Sequence, residues 1–320
     1  MIAGDLPTGR ALEDQALVLA LRDGNPVHLG VVRIHQMIAR YWGGDLIGAE
    51  EHFTAGLDFF ENADLRRFPG AIVGGFAFGS LNAWTLGHSE LALQREAEMM
   101  SAANQDNPYD MALAQAIAGY LQIHCGKFKQ AEDLAQAALD FTKGYQISQV
   151  GASLLCILGQ ARVQLGHAQE GIALIRKGID GLLEVGTRLG LTRDYTHLAQ
   201  AQLLNGVLGD ALETVEQTLQ MNPEELLFRP ETIRVRGEIQ LKRGKIELAE
   251  ADFREAIALA QSMTAKAWEL RATMSLARLL DEQGRREEAR TLLAEIYNWF
   301  TEGFDTADLK DARALLDRLD

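Results

Sequence analysis

The sequence predicts an all-α protein, a single right-handed superhelical solenoid of helical hairpins that repeat about every 40 residues. Three observations predict it. Glycines at 44, 87, 126, 166, 206, 244 and 284 each close an apolar helical stretch, and five residues after every one stands Ala or Gly: Ala49, Ala92, Ala131, Gly171, Ala211, Ala249 and Ala289. Seven residues before six of these glycines stands another small residue, Ser80, Gly119, Gly159, Ala199, Gly237 or Ala277, with Met37 as the exception in the first unit. Ala, Leu, Glu, Gln and Arg dominate while proline is scarce, a mixture that favours helix over strand.

The spacing defines a hairpin. Glycine supplies the left-handed conformation that ends a first helix, and the small residue five later lets the second helix approach closely. Apolar residues recur at helical spacing within each unit, as Leu134, Ala138 and Phe141 do in "AEDLAQAALDF" and Phe253, Ile257 and Ala260 in "AEADFREAIALA". Units end near "DGNP", "DNPY", "KGYQ" and "MNPEE", where Pro, Gly and Asn stop a helix. A hairpin cannot cover its own apolar stripe, so neighbours stack into one array.

Taken in order, residues 1–25 are expected to form a half repeat or N-terminal cap helix, because Gly4 lies 40 residues before Gly44 and is followed five later by Gly9. An array that begins halfway through a repeat looks cut from something longer. Residues 26–303 are expected to form seven hairpins. Residues 304–320 are expected to form a C-terminal capping helix, with Thr306 as N-cap and Leu309, Ala312, Leu316 and Leu319 on its apolar side.

Net charge is −14, with residues 1–228 carrying 15 Lys and Arg against 27 Asp and Glu. Such an acidic surface repels phosphate backbones and argues against nucleic acid as a partner. Cys125 and Cys156 offer neither a CxxC pair nor a disulfide framework, which suits a cytoplasmic location and reads as two buried apolar residues. The most apolar segment, "GAIVGGFAFGSLNAWTLG", is short for a membrane span, so no membrane association is expected. Its GxxxG spacings read as close helix packing rather than a ligand loop, since no lysine or preceding strand accompanies them.

The skeleton of small residue, turn glycine and alanine resembles the tetratricopeptide repeat, whose units run 34 residues, so these longer units imply longer helices. Forty-residue units of this type resemble the sensor arms of bacterial signal-transduction ATPases, including the maltose-system activator. Residues 265–319, from "AKAWELRATMSLARLL" to "ADLKDARALLDRL", resemble the terminus of bacterial multidomain proteins that carry an adenylate/guanylate cyclase or winged-helix domain, a predicted ATPase and then such an array. The chain has no GxxxxGK[ST] phosphate loop, so neither family activity transfers to it.

In this repeat class the inward positions lie about 13, 10, 6, 3 and 2 residues before the turn glycine. They place Tyr41, Trp42, Trp84, Tyr120 and His124 on the concave face, with Glu231, Arg234, Glu238, Lys242, Arg271, Arg278, Asp281 and Glu282 in the last units, so the groove runs from aromatic to charged. An aromatic-lined concavity suits a protein, a peptide or a small ligand. Should the register be displaced by one, the same aromatics would be core, a reading that Arg40 at a normally buried position keeps open. The seven histidines show no metal-ligand spacing, and no Ser, Cys or carboxylate constellation points to catalysis. The expected function is a non-catalytic interaction or sensor module without cofactor, able to form a homo-oligomer or to serve an upstream ATPase or cyclase domain. The competing expectation is a structural, self-associating array with no ligand.

Overall fold

A computed structural model describes residues 5–60, 62, 64, 65, 68, 70–145 and 147–320. Among them lie sixteen α-helices and no strand. The first is α1 (Leu6–Asp23). Seven hairpins follow: α2 (Pro26–Trp42) with α3 (Leu46–Phe60), α4 (Ala71–Leu86) with α5 (Ser89–Ala102), α6 (Pro108–His124) with α7 (Phe128–Thr142), α8 (Ser148–Gln164) with α9 (Ala168–Glu184), α10 (Leu191–Leu204) with α11 (Leu208–Gln220), α12 (Arg229–Lys242) with α13 (Ile246–Ser262), and α14 (Lys266–Glu282) with α15 (Arg286–Tyr297). The chain closes with α16 (Ala307–Leu319). The turn expected at Gly4 lies outside the described residues, as does Gln146 of the "KGYQ" stop.

All seven turn glycines have positive φ, from +73° to +100°, in the region that disfavours a side chain. The small-residue rule has a direct physical cause. A methyl group built on Gly159 of α8 would lie 2.6 Å from the carbonyl oxygen of Gly171 in α9, so the helices cross backbone to backbone. Ala49, Ala92, Ala131, Ala211, Ala249 and Ala289 fill the equivalent crossings and are completely buried. The stop signals also start helices: Asn25 and Asn107 accept bonds from Val27 N and Tyr109 N, each just before a proline at the first helical position. Thr306 occupies the N-cap of α16, but its hydroxyl donates back to the Gly303 carbonyl at 2.7 Å instead of capping the helix.

The apolar "GAIVGGFAFGS" stretch forms most of α4, whose residues from Ile72 to Leu86 are nearly all buried. Phe60 and Phe53 of α3 press on Gly75 and Gly79, which is the close packing expected of the GxxxG spacing. Cys125 and Cys156 are free and buried. No helix among the described residues is long and apolar enough to cross a membrane.

One feature exceeds what stacking of neighbours requires. The superhelix closes on itself, so that α4 packs against α14 as well as its sequence neighbours. Along this seam Leu227 N donates to the Trp42 carbonyl at 3.2 Å, and Glu90 N donates to a Glu302 carboxylate oxygen at 2.9 Å. The largest apolar cluster accordingly runs from Leu6 through Ala161 and takes in Leu227, Phe228, Met263 and Trp268 from the far end.

Candidate functional site: an aromatic seam on the superhelix axis

The five aromatic positions expected on the concave face lie on the first helices of repeats 1 to 3. Trp42 and His124 sit at the ends of α2 and α6, and Trp84 sits close to the end of α4. Their side chains do not line an open groove. Tyr41, Trp42, Trp84, Tyr120 and His124 are each no more than 4% exposed, because the facing wall of the superhelix has closed onto them. Their burial agrees with the alternative reading, in which these aromatics belong to the core, and the closure that buries them is long-range.

The facing wall is made by the N-terminal ends of α12 and α14. The His124 imidazole stacks on Trp84 with centroids 4.4 Å apart and planes at 15°. Trp268 meets Trp84 edge-on at 4.9 Å, and Phe228 lies 5.2 Å from Trp268, 6.0 Å from His124 and 6.5 Å from Trp42. His197 of α10 completes the ring around Phe228 at 5.8 Å. Offset and edge-on aromatic contacts of this kind stabilise beyond their buried area. Trp42, Trp84 and His124 therefore share one cluster. Tyr41 joins it through Trp42, at 5.5 Å, and through Phe78. Tyr120 is joined only through Arg193, whose guanidinium lies 3.6 Å over the Tyr120 ring and 5.6 Å from Trp42.

Charge is threaded through this apolar centre in pairs, as burial demands. Arg193 donates to both oxygens of the fully buried Asp194, at 3.1 and 3.2 Å, and the Tyr120 hydroxyl donates to the same carboxylate at 3.1 Å. Arg234 grips Glu231 with two 2.7 Å bonds and also reaches Glu238. Arg271 bridges three parts of the molecule: it donates to Asp308 of α16 and to the His124 carbonyl, both at 2.8 Å, while lying 5.0 Å from the Trp84 ring. Burial pushes the Tyr41 and Tyr120 hydroxyls well above the usual phenol range. It drives His124 well below the usual histidine range and His197 down to about 3, with Arg271 and Arg193 respectively adding to the effect. Both imidazoles are neutral at pH 7. Among the described residues no three His, Cys, Asp or Glu side chains converge as metal ligands would.

Of the charged positions expected in the last units, Arg271 reaches the aromatics of repeats 1 to 3, over the Trp84 ring, while the wall that faces them is Phe228 and Trp268. Phe228 and Trp268 escaped the sequence register because they lie sixteen residues before Gly244 and Gly284, at the extreme start of their helices. Their coincidence at one repeat position is the signal that finds them. Beside the aromatic ring the seam leaves a cavity of about 350 Å³, lined by Gly44, Ile47, Leu226, Leu259 and Met263 among others.

Fold and site together define a helical-repeat array of the tetratricopeptide class. The model described as the MalT-like TPR region matches residues 112–316, well over half of the chain, and the chain belongs to that family. No curated protein matches it in sequence. Among solved structures, a Rap protein complexed with competence and sporulation factor is similar in fold, with a TM-score of 0.62 at 12% identity over 99% of this chain and 92% of that one. NprR in complex with its cognate peptide NprX gives 0.60 at 15% identity over 90% and 81%. A signal-transduction ATPase with a tetratricopeptide repeat sensor from Pyrococcus horikoshii gives 0.52 at 16% identity, over 84% of this chain and 42% of that one.

Proposed function

We propose that this chain is a non-catalytic binding module that takes a protein or peptide on the concave side of its superhelix, at the aromatic seam between repeats 1–3 and repeats 5–7. The observation that carries the reading is the convergence of Trp42, Trp84, His124, Phe228 and Trp268, drawn from five different repeats, into one ring of contacts on the axis. Rigid aromatic residues of this kind anchor ligands, and because these five are buried against one another a ligand reaches them only as the seam parts. Two arrays of like fold are known with a peptide or factor bound, which supports the same ligand class here. The likeness of residues 265–319 to the ends of multidomain signalling proteins supports a role as the sensor arm of such a protein, one that also carries an ATPase and a cyclase or winged-helix domain. Two unpaired, buried cysteines support a cytoplasmic setting.

The test is a screen of a random peptide library against the wild-type chain, followed by titration of the hits with tryptophan emission as readout. Saturable binding with a Kd of about micromolar order is expected, with a shift in emission as Trp42, Trp84 and Trp268 change environment. No saturable binding by any peptide up to about millimolar concentration would sink the reading.

A second reading, self-association without a ligand, is favoured by one observation. Leu12, Val18, Leu19 and Leu21 of α1 are each 48–64% exposed, an uncovered apolar surface at the start of the array. Light scattering decides it: a concentration-dependent dimer mass that Leu12→Lys and Leu19→Lys abolish would favour this reading.

A further inference from the structure

The connection between α11 and α12 crosses the seam and packs against repeat 1. Most of its neighbours are short, and the one between α13 and α14 is Met263–Ala265 only. This one is Met221–Phe228. In its middle, the buried Glu225 carboxylate accepts from the Gly190 N–H at 3.3 Å, from the Asn222 amide at 3.4 Å and from the Thr192 hydroxyl, which ties the segment to repeat 5. At the end that leads into α12, three consecutive residues reach repeat 1. Leu226 abuts the Gly44 turn, Leu227 donates its N–H to the Trp42 carbonyl, and Phe228 fills the ring of Trp42, His124, His197 and Trp268. Leu226–Phe228 is a turn, closed by the Arg229 N–H donating to the Leu226 carbonyl at 3.0 Å, so the main-chain bond and the inserted aromatic are presented together from the start of α12.

The fit is chemically incomplete. The indole N–H groups of Trp42 and Trp268 and the Nδ1 of His197 are buried with no hydrogen-bond partner, and all three side chains border Phe228. A benzyl side chain offers them no acceptor. Buried donors left without acceptors carry a standing penalty, so a segment that fills the space with hydrocarbon satisfies shape and not polarity. The cavity beside Leu226 is lined by the Gly43–Ile47 turn of repeat 1 and by Leu259 and Met263 of repeat 6.

We propose that Leu226–Phe228 is an internal ligand that latches the superhelix shut, and that the external ligand is a short peptide that displaces it. That peptide would present a leucine or phenylalanine in the place of Phe228 and main-chain carbonyls or a carboxylate to the indoles of Trp42 and Trp268. The inference rests on the peptide-binding reading above. It adds to that reading a competitor built into the chain, the kind of residue the ligand carries, and a reason why apparent affinity is lowered: only the unlatched fraction binds.

The experiment uses the full chain, a fluorescein-labelled nonapeptide of residues 222–230 (Asn-Pro-Glu-Glu-Leu-Leu-Phe-Arg-Pro), and the Phe228→Ala variant, with far-ultraviolet circular dichroism as the control for folding. The variant is expected to bind the nonapeptide at least tenfold more tightly than wild type, and replacing the peptide's own phenylalanine with alanine is expected to abolish the gain. X-ray scattering should show an expanded variant that compacts on adding peptide. If Phe228→Ala loses its helical signal, Leu226→Ala on the rim of the seam decides instead, with a smaller gain in the same direction. Equal binding of library peptides to wild type and to the folded variant would overturn the latch and leave the peptide-binding reading standing. Absence of binding to either chain, by the nonapeptide and by the library, would overturn both.

Discussion

Repeats 1 to 3 and repeats 4 to 7 share one turn and live in different surroundings. A methyl group placed on Gly44 would meet Met263 and Leu226, one on Gly87 would meet Trp299, Lys266 and Phe300, and one on Gly126 would meet Ala307. Placed on Gly166, Gly206, Gly244 or Gly284 it would meet nothing within 4 Å. The backbone is left-handed at all seven. The turn is therefore a local device, set by the need to reverse one helix onto the next, whereas the seam is a second and separate use of the first three turns. The segments that dock there contribute Leu226, Met263 and Trp299 from connections and Ala307 from the start of α16, none of them part of the hairpin repeat. A repeat rule explains why each hairpin forms. It does not explain where the array stops unwinding and touches itself.

The largest expected effect addresses what the two regions share. Ala92 in repeat 2 and Ala249 in repeat 6 are both completely buried at a helix crossing. Ala92→Asp and Ala249→Asp each introduce bulk and an unpaired carboxylate, and each should cost about 3–5 kcal/mol in urea unfolding. Near-equal losses are expected, since the crossing is internal to a hairpin. A loss at Ala249 below about 1 kcal/mol would show that the turn register is mistaken.

The next effect belongs to the seam alone. His197 has a folded pKa of about 3 against an ordinary value near 6.5. Above pH 6.5 it is neutral in both states and its contribution is complete. As pH falls, the unfolded chain takes up the proton first and stability is lost, by about 2 kcal/mol at pH 5 for this one group. His124 follows the same sign, as does His52 outside the seam with a folded pKa of about 4. Glu225 and Glu13 run the other way, since burial raises both and their neutral forms are favoured as pH falls. The comparison that isolates the seam is His197→Gln, which should flatten the fall in stability between pH 6.5 and 5 by about that 2 kcal/mol. An unchanged slope would mean that His197 is solvated and the seam open in solution.

Much of this was legible in the sequence for physical reasons that can be named. The hairpins were, because turn glycine, crossing alanine and apolar stripe are all fixed by contacts within about 20 residues. Distance from the turn puts Tyr41, Trp42, Trp84, Tyr120 and His124 on one helix face but does not say whether that face lines an open groove or, as the alternative reading has it, joins the core; the structure buries all five. Trp84 is paired with Trp268 and Trp42 with Phe228 through closure of the whole superhelix, a property of small rotations summed over several repeats. The apolar stripe of α16, Leu309, Ala312, Leu316 and Leu319, follows from helical spacing, while the bond that ties the helix to the seam, Arg271 to Asp308, joins residues whose meeting no spacing encodes.

The smallest effect separates turn from seam directly. Gly206→Ala forces a side chain into the left-handed region with free space around it, so it should cost about 1–2 kcal/mol and nothing more. Gly126→Ala carries the same backbone cost at nearly the same φ, and its methyl would also sit 2.6 Å from the Ala307 Cβ. A contact that short must be relieved by a shift of α16 against repeat 3, across which Arg271 donates to both Asp308 and the His124 carbonyl. The difference between the two variants is therefore the local worth of the seam, expected at about 1 kcal/mol. Hydrogen exchange reads where that difference goes. In Gly126→Ala the α16 amides should exchange faster than in wild type while those of α12 and α13 are unchanged, and in Gly206→Ala the α16 amides should not change. Equal unfolding losses with unchanged α16 protection in both would place α16 away from repeat 3 and reduce the seam to a contact without energetic weight.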